Sequence, residues 1–185
     1  ILLLYYSIYL ITGKSINFFY INVKLIIVLK RRNVMLTVGS YQEMDQNKYD
    51  ENWLIVRKPD DFLPEFVKHV PAFSPSPDLF QKYREACQKK MFDQKFFNEV
   101  YVPQFVKELA ENPEARALLQ TLTDMSRGKN IMLACYCETE TMCHRSIIAG
   151  ILLGMGAEIS TEQEYSNYYK LYQMMKKRVK ADKWL

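Results

Sequence analysis

Apolar residues along this chain fall into short blocks separated by polar turns, the pattern of buried strands alternating with helices. Leu36-Thr-Val-Gly39 and Trp53-Leu-Ile-Val-Arg57 are brief β-prone runs on either side of a polar, turn-rich stretch at Gln42 to Asn52. Five prolines follow, Pro59, Pro64, Pro71, Pro75 and Pro77, and they predict an irregular loop with one short helix near Phe62 to His69. Helices are expected at Pro77 to Lys89, Asp93 to Glu111 and Pro113 to Ser126, with Pro77 in a first turn and Asn112 as an N-cap. After the turn-like Ser126-Arg-Gly-Lys129 comes the apolar strand Asn130-Ile-Met-Leu-Ala134, and Ser146 to Met155 reads as a tightly packed apolar helix. A short strand near Ala157-Glu-Ile159 precedes a last helix from Thr161, where Thr161-Glu-Gln-Glu164 fits a capping box. The alternation predicts a single compact α/β domain whose mainly parallel sheet is flanked by helices.

The first 34 residues depart from this pattern. They contain no Asp, Glu, Ala or Pro and are dominated by Ile, Leu, Tyr, Phe, Asn and Lys, the residues that AT-rich codons specify. Lys30-Arg-Arg-Asn-Val-Met35 reads as a translated ribosome-binding sequence, spacer and start codon. Residues 1–34 are therefore expected to be upstream translation or an apolar leader, with the α/β domain at 35–185. Two apolar runs, Ile1 to Ile11 and Ile16 to Leu29, are interrupted by polar residues and fall short of the roughly 18 apolar residues of a spanning helix. Their basic residues follow the apolar region, the reverse of a secretory signal. A single membrane anchor is the alternative, and no membrane partner is expected if Met35 is the start.

Charge follows the same division. The whole chain carries +4, but residues 35–185 hold 20 basic and 21 acidic residues, a net −1, so global electrostatics give no argument for nucleic acid. A local argument remains in the C-terminal helix, where Lys170, Lys176, Lys177, Arg178, Lys180 and Lys183 accompany Tyr165, Tyr168, Tyr169 and Tyr172. That pattern fits an amphipathic helix docked by its tyrosines, or a nucleic-acid partner stacked on them. Four cysteines, unevenly clustered and without a secretory signal, suggest reduced thiols in a cytoplasmic protein.

The chemistry concentrates between Cys135 and Arg145, where eleven residues hold three of the four cysteines and one of the two histidines. The motif runs from strand through loop to helix start. Orphan N–H groups and the helix dipole favour an anion there, Arg145 can grip phosphate or carboxylate, and His144 can supply a proton or hydrogen bond. The same field would lower the pKa of Cys143. The fourth cysteine, Cys87, sits in a helical pattern and reads as structural.

Cys135, the seven residues Tyr136 to Met142, and Cys143-His144-Arg145 are similar to the signature of the family called domain of unknown function 488, which includes the YeaO-like proteins. Trp53 to Arg57 resembles its early strand and following Arg, Val70 to Phe80 its proline-containing segment, and Phe92 to Leu109 a further helix. The resemblance spans about residues 36 to 160. One position departs: where many members carry an acid two residues after the first cysteine, this chain has Cys137, with Glu138 next. The resemblance implies the fold and carries no activity.

Ligands of parallel α/β sheets bind at the carboxyl ends of strands. The expected site therefore gathers Cys143, His144 and Glu138 as catalytic candidates with Arg145, Cys135, Cys137, Ser40, Tyr41 and Arg57 as binding residues, and the proline-rich loop as a wall. Three chemistries fit these residues: binding of a phosphate-bearing small molecule or nucleotide, with Glu138 or His144 as acid or base; redox or sulfur-carrier chemistry with Cys143 attacking and Cys137 or Cys135 resolving; and metal binding by Cys135, Cys137, Cys143 and His144. The last fits poorly, because adjacent Cys143 and His144 point in different directions and structural zinc sites use Cys-x2–4-Cys pairs. No metal and no cofactor are expected. A non-enzymatic interaction module is the remaining alternative.

Overall fold

The computed structural model describes residues 11–12, 15–16, 35–137, 140–160, 165 and 168–182. The chain divides into two units, Ile1–Arg32 and Asn33–Leu185. In the first, strands β1 (Ile11–Thr12) and β2 (Ser15–Ile16) pair antiparallel; the remainder of the apolar runs and Lys30-Arg31-Arg32 lie outside the described residues.

The second unit is built on five parallel strands: β3 (Leu36–Ser40), β4 (Glu51–Leu54), β5 (Val67–His69), β6 (Ile131–Cys135) and β7 (Ile159–Ser160). Their order is β5-β4-β6-β3-β7, so the cysteine strand β6 lies at the centre, with Ser40 of β3 in register with its Cys135 and Leu54 of β4 beside its Ala134. All five residues of β6 are buried, as a strand covered on both faces must be. The expected α/β class with a parallel sheet flanked by helices is the observed one.

Helices α1 (Pro77–Gln88), α2 (Gln94–Phe96), α3 (Val102–Glu111), α4 (Pro113–Met125), α5 (His144–Gly154) and α6 (Tyr168–Asp182) complete the unit. Asn112 caps α4 as its sequence position implies, its Oδ1 accepting from Glu114 N at 2.9 Å and Ala115 N at 3.3 Å. Residues 93–111 are not one regular helix: a π-turn at Phe97–Tyr101 joins α2 to α3. Pro103, two residues past Tyr101, has no N–H to give back to Glu99 and accounts for the interruption.

Two other expectations are corrected. The helix expected near Phe62 to His69 is absent, and Val67–His69 forms edge strand β5 beside β4; three residues between prolines are too few to show a period-2 pattern. Strand β4 begins at Glu51, two residues before the apolar run, where Glu51 pairs with Ile131 and its N–H donates to Asn130 O at 3.3 Å, and it ends at Leu54, so Ile55 to Arg57 lie beyond the strand. The capping box at Thr161 to Glu164 lies outside the described residues.

Helix α5 is buried on every side from His144 to Leu152, the composition expected of a helix held between a sheet and another helix. That second layer is α6, which packs on both α3 and α5. Its tyrosines do the docking: Tyr172 is buried, and Tyr169 comes so close that a Cβ at Gly154 would lie 2.3 Å from its own Cβ. Among the described residues no helix is long and apolar enough to cross a membrane.

Candidate functional site

The carboxyl end of β6 and the amino end of α5 bring three cysteines together. Cys135 closes the strand, Cys143 is the N-cap of the helix, and their sulfurs are 3.1 Å apart. Cys137, on the loop between them, donates its backbone N–H to Cys135 Sγ at 3.3 Å. All three Sγ atoms lie within 4.8 Å of one another. Cys135 and Cys143 are buried, and Cys137 alone is partly open to solvent.

The loop is tied at its ends. Cys143 N donates to Glu140 O at 3.1 Å, the Glu140 carboxylate accepts from the Tyr165 hydroxyl, and Ser146 Oγ donates to Cys143 O at 2.7 Å. Among the described residues no side chain caps α5. The expected base Glu138 lies outside the described residues.

Two basic side chains stand behind the sulfurs, and both are buried. Arg145 Nη1 donates to Gly39 O at 2.6 Å and approaches Cys135 Sγ at 3.6 Å. His144 Nε2 is 2.8 Å from Ile55 O; a carbonyl only accepts, so Nε2 carries the proton and Nδ1, 3.6 Å from Cys143 Sγ, offers its lone pair to that sulfur. Burial holds the His144 pKa below its usual value, which keeps the ring neutral. Phe105 packs edge-on against the imidazole at 5.8 Å, at the end of a stack that begins with Phe97 and Tyr101.

These surroundings assign the negative charge. Hydrogen bonds from Cys135 and then Cys143 hold the Cys137 thiol far below the ordinary range, with the Arg145 charge adding to them. Cys135 is pushed up to about 11, chiefly because it serves as donor to Cys137. Cys143 is raised well above its usual value, first by burial. The sequence placed the low-pKa thiol at Cys143 on the strength of the helix dipole. At 2% exposure the desolvation of Cys143 outweighs that dipole, and the charge moves to the one sulfur that keeps contact with water.

Ser40 and Tyr41 are brought to the same strand ends. Ser40 N and Oγ are both spent on Glu43 Oε1, at 2.8 and 2.9 Å, and the Tyr41 ring meets Tyr136 edge-on at 5.4 Å. Glu43, which sequence reasoning missed, has its carboxyl held below the usual value by the Ser40 backbone and lies in the field of Arg145. Its signal was Ser40-x-x-Glu43, a capping box at a strand end. A Cβ at Gly39 would fall 2.5 Å from Met132 Cε and 2.9 Å from the Glu43 carboxylate, so glycine is what admits that carboxylate beside the strand.

Arg57 is not among the cysteines' contacts. It lines a separate cavity of about 400 Å³ with the Pro71–Ser76 segment and the end of α3. Cys143 and His144 do not point apart as their adjacency suggested, since His144 Nδ1 lies 3.6 Å from Cys143 Sγ; the grouping of metal-ligating side chains among the described residues is the three sulfurs, without the histidine.

The family model DUF488-N3a, described as the active DUF488-N3 subclade, matches residues 36–156. No curated protein and no solved structure matches the chain.

Proposed function

The chain belongs to the DUF488 family, and we propose that it performs thiol-based group transfer, specifically sulfur transfer, with Cys137 as the nucleophile. The observation that carries this reading is the arrangement of three sulfurs within 4.8 Å, of which only Cys137 reaches solvent. A thiolate is the reacting form of cysteine, and this one lies within 4.8 Å of two other sulfurs that have a buried guanidinium beside them.

Roles follow from position. Cys137 attacks the outer sulfur of a sulfane donor; with thiosulfate, a new S–S bond forms, the S–SO3 bond breaks, its electron pair leaves on sulfite, and Cys137 is left as a persulfide anion. Cys135 and Cys143 stabilise the anionic sulfur as donors, Arg145 supplies fixed positive charge, and neutral His144 accepts a proton from Cys143 when one must be moved. The start of α5, which no described side chain caps, is where the anionic part of the donor is favoured. That last feature also supports the second reading, recognition of a phosphate-bearing molecule at the same place.

Incubation with thiosulfate, followed by intact-mass and peptide mapping, tests the proposal. One sulfur atom should add at Cys137, be lost in Cys137→Ser, and persist in Cys87→Ser. If Cys137 gains no sulfur from thiosulfate or polysulfide, sulfur transfer is wrong; stabilisation by phosphate compounds in the same protein would then favour the second reading.

A further inference from the structure

The cavity beside Arg57 is independent of the thiol site. It lies where β4 and β5 run out, the position at which parallel sheets receive ligands. Its wall is the segment Pro71 to Ser76, whose prolines fix the backbone in advance of any ligand. About 400 Å³ is room for a small metabolite.

Two opposite charges border it. Arg57 is exposed, and among the described residues its Nη1 has Pro75 O as hydrogen-bond partner at 3.5 Å, too long to commit the guanidinium. Glu108, on α3, is by contrast held firmly: Oε2 accepts from Ser76 N at 2.9 Å and Oε1 from Ser76 Oγ at 2.6 Å. Gln104 Nε2 adds a longer contact to Oε1 at 3.5 Å. A carboxylate oxygen accepts two hydrogen bonds, so Oε2 keeps one place for an incoming donor. Asn112 spends its Oδ1 on the cap of α4 and has its amide N–H groups to offer.

From these groups we infer that the cavity binds a small zwitterion of the free α-amino acid class, its carboxylate on Arg57 and its ammonium on Glu108. A simple anion would meet Arg57 but face the fixed Glu108 carboxylate. A simple cation would meet the reverse. A molecule carrying both charges satisfies both walls, and the volume admits a side chain besides.

Thermal unfolding of the full chain against individual L-amino acids tests the inference, with the matching des-amino acids, decarboxylated amines and inorganic phosphate as controls. At least one amino acid should raise the midpoint in a saturable way, while its des-amino and decarboxylated forms should not. Arg57→Ala, at an exposed position, should unfold at the wild-type midpoint without ligand and lose affinity about tenfold or more, the loss expected for one charge-assisted contact; Arg57→Lys should recover part of it. Cys137→Ser should bind as the wild type does, which separates this site from the thiol chemistry. No shift with any amino acid at millimolar concentration overturns the inference. So does an equal shift in Arg57→Ala, or an equal shift from inorganic phosphate.

Discussion

Cys135 and Cys143, eight positions apart in the chain, hold their sulfurs 3.1 Å from each other and within 4.8 Å of the third sulfur, Cys137, whose thiol pKa their hydrogen bonding lowers. Reactivity should therefore reside in Cys137. Its alkylation by iodoacetamide should stay nearly constant from pH 8 to pH 6, where a thiol of ordinary pKa slows about tenfold per unit. Peptide-resolved alkylation kinetics check this. Cys135→Ala and Cys143→Ala, each removing a donor, should move the profile to higher pH, and a Cys137 profile that tracks free cysteine in the wild type would refute the assignment.

Arg145 is buried beside the sulfurs, with Nη1 on Gly39 O. Arg145→Met should cost about 1.5–3 kcal/mol in stability, the worth of a hydrogen bond to a charged group, and should also raise the pH at which Cys137 becomes reactive. Denaturant unfolding and alkylation kinetics measure the two effects separately. A stability loss without any change in the alkylation profile would confine Arg145 to packing.

His144 is buried neutral, with its folded pKa below the unfolded value near 6.5. As pH falls through that value the unfolded ring takes up a proton that the folded ring resists, so stability present above about pH 6.5 is lost on acidification toward the folded pKa. The slope should reach up to about 1.4 kcal/mol per pH unit. His144→Gln, whose amide can still donate to Ile55 O, should flatten the unfolding midpoint between pH 6.5 and 5 relative to wild type; an unchanged slope would show that other groups set it.

Gly154→Ala should destabilise the domain by roughly 1–3 kcal/mol, a cost typical of overpacking. The added methyl would meet Tyr169 Cβ at 2.3 Å, close to the backbone of α6 rather than at a pliable side-chain tip. Hydrogen exchange should report faster opening in α6 than in β6. Equal protection of α6 in mutant and wild type would count against the close approach.

The Cys-rich stretch was legible as a strand, loop and helix start because Ile131 to Cys135 is continuously apolar and α5 is apolar all round. Asn112 was legible as a cap because its signal is local. Arg57 was legible only as a residue following a strand, and its cavity was not, since the facing carboxylate of Glu108 lies 51 positions along the chain.

What the sequence determined by itself was therefore the alternation of elements, the parallel α/β class and the segment that carries the chemistry, all of which depend on periodicity and on neighbours within a few residues. Tertiary structure decided which thiol bears the charge, how His144 and Arg145 are held, and where Glu43 and Arg57 fall. The thiol pKa depends on burial and on donors from separate elements: β6 supplies Cys135, α5 supplies Cys143, and their distances to Cys137 are set only when the sheet and helix pack. The same packing removes Cys143 from water and leaves Cys137 in contact with it, which no spacing along the chain records.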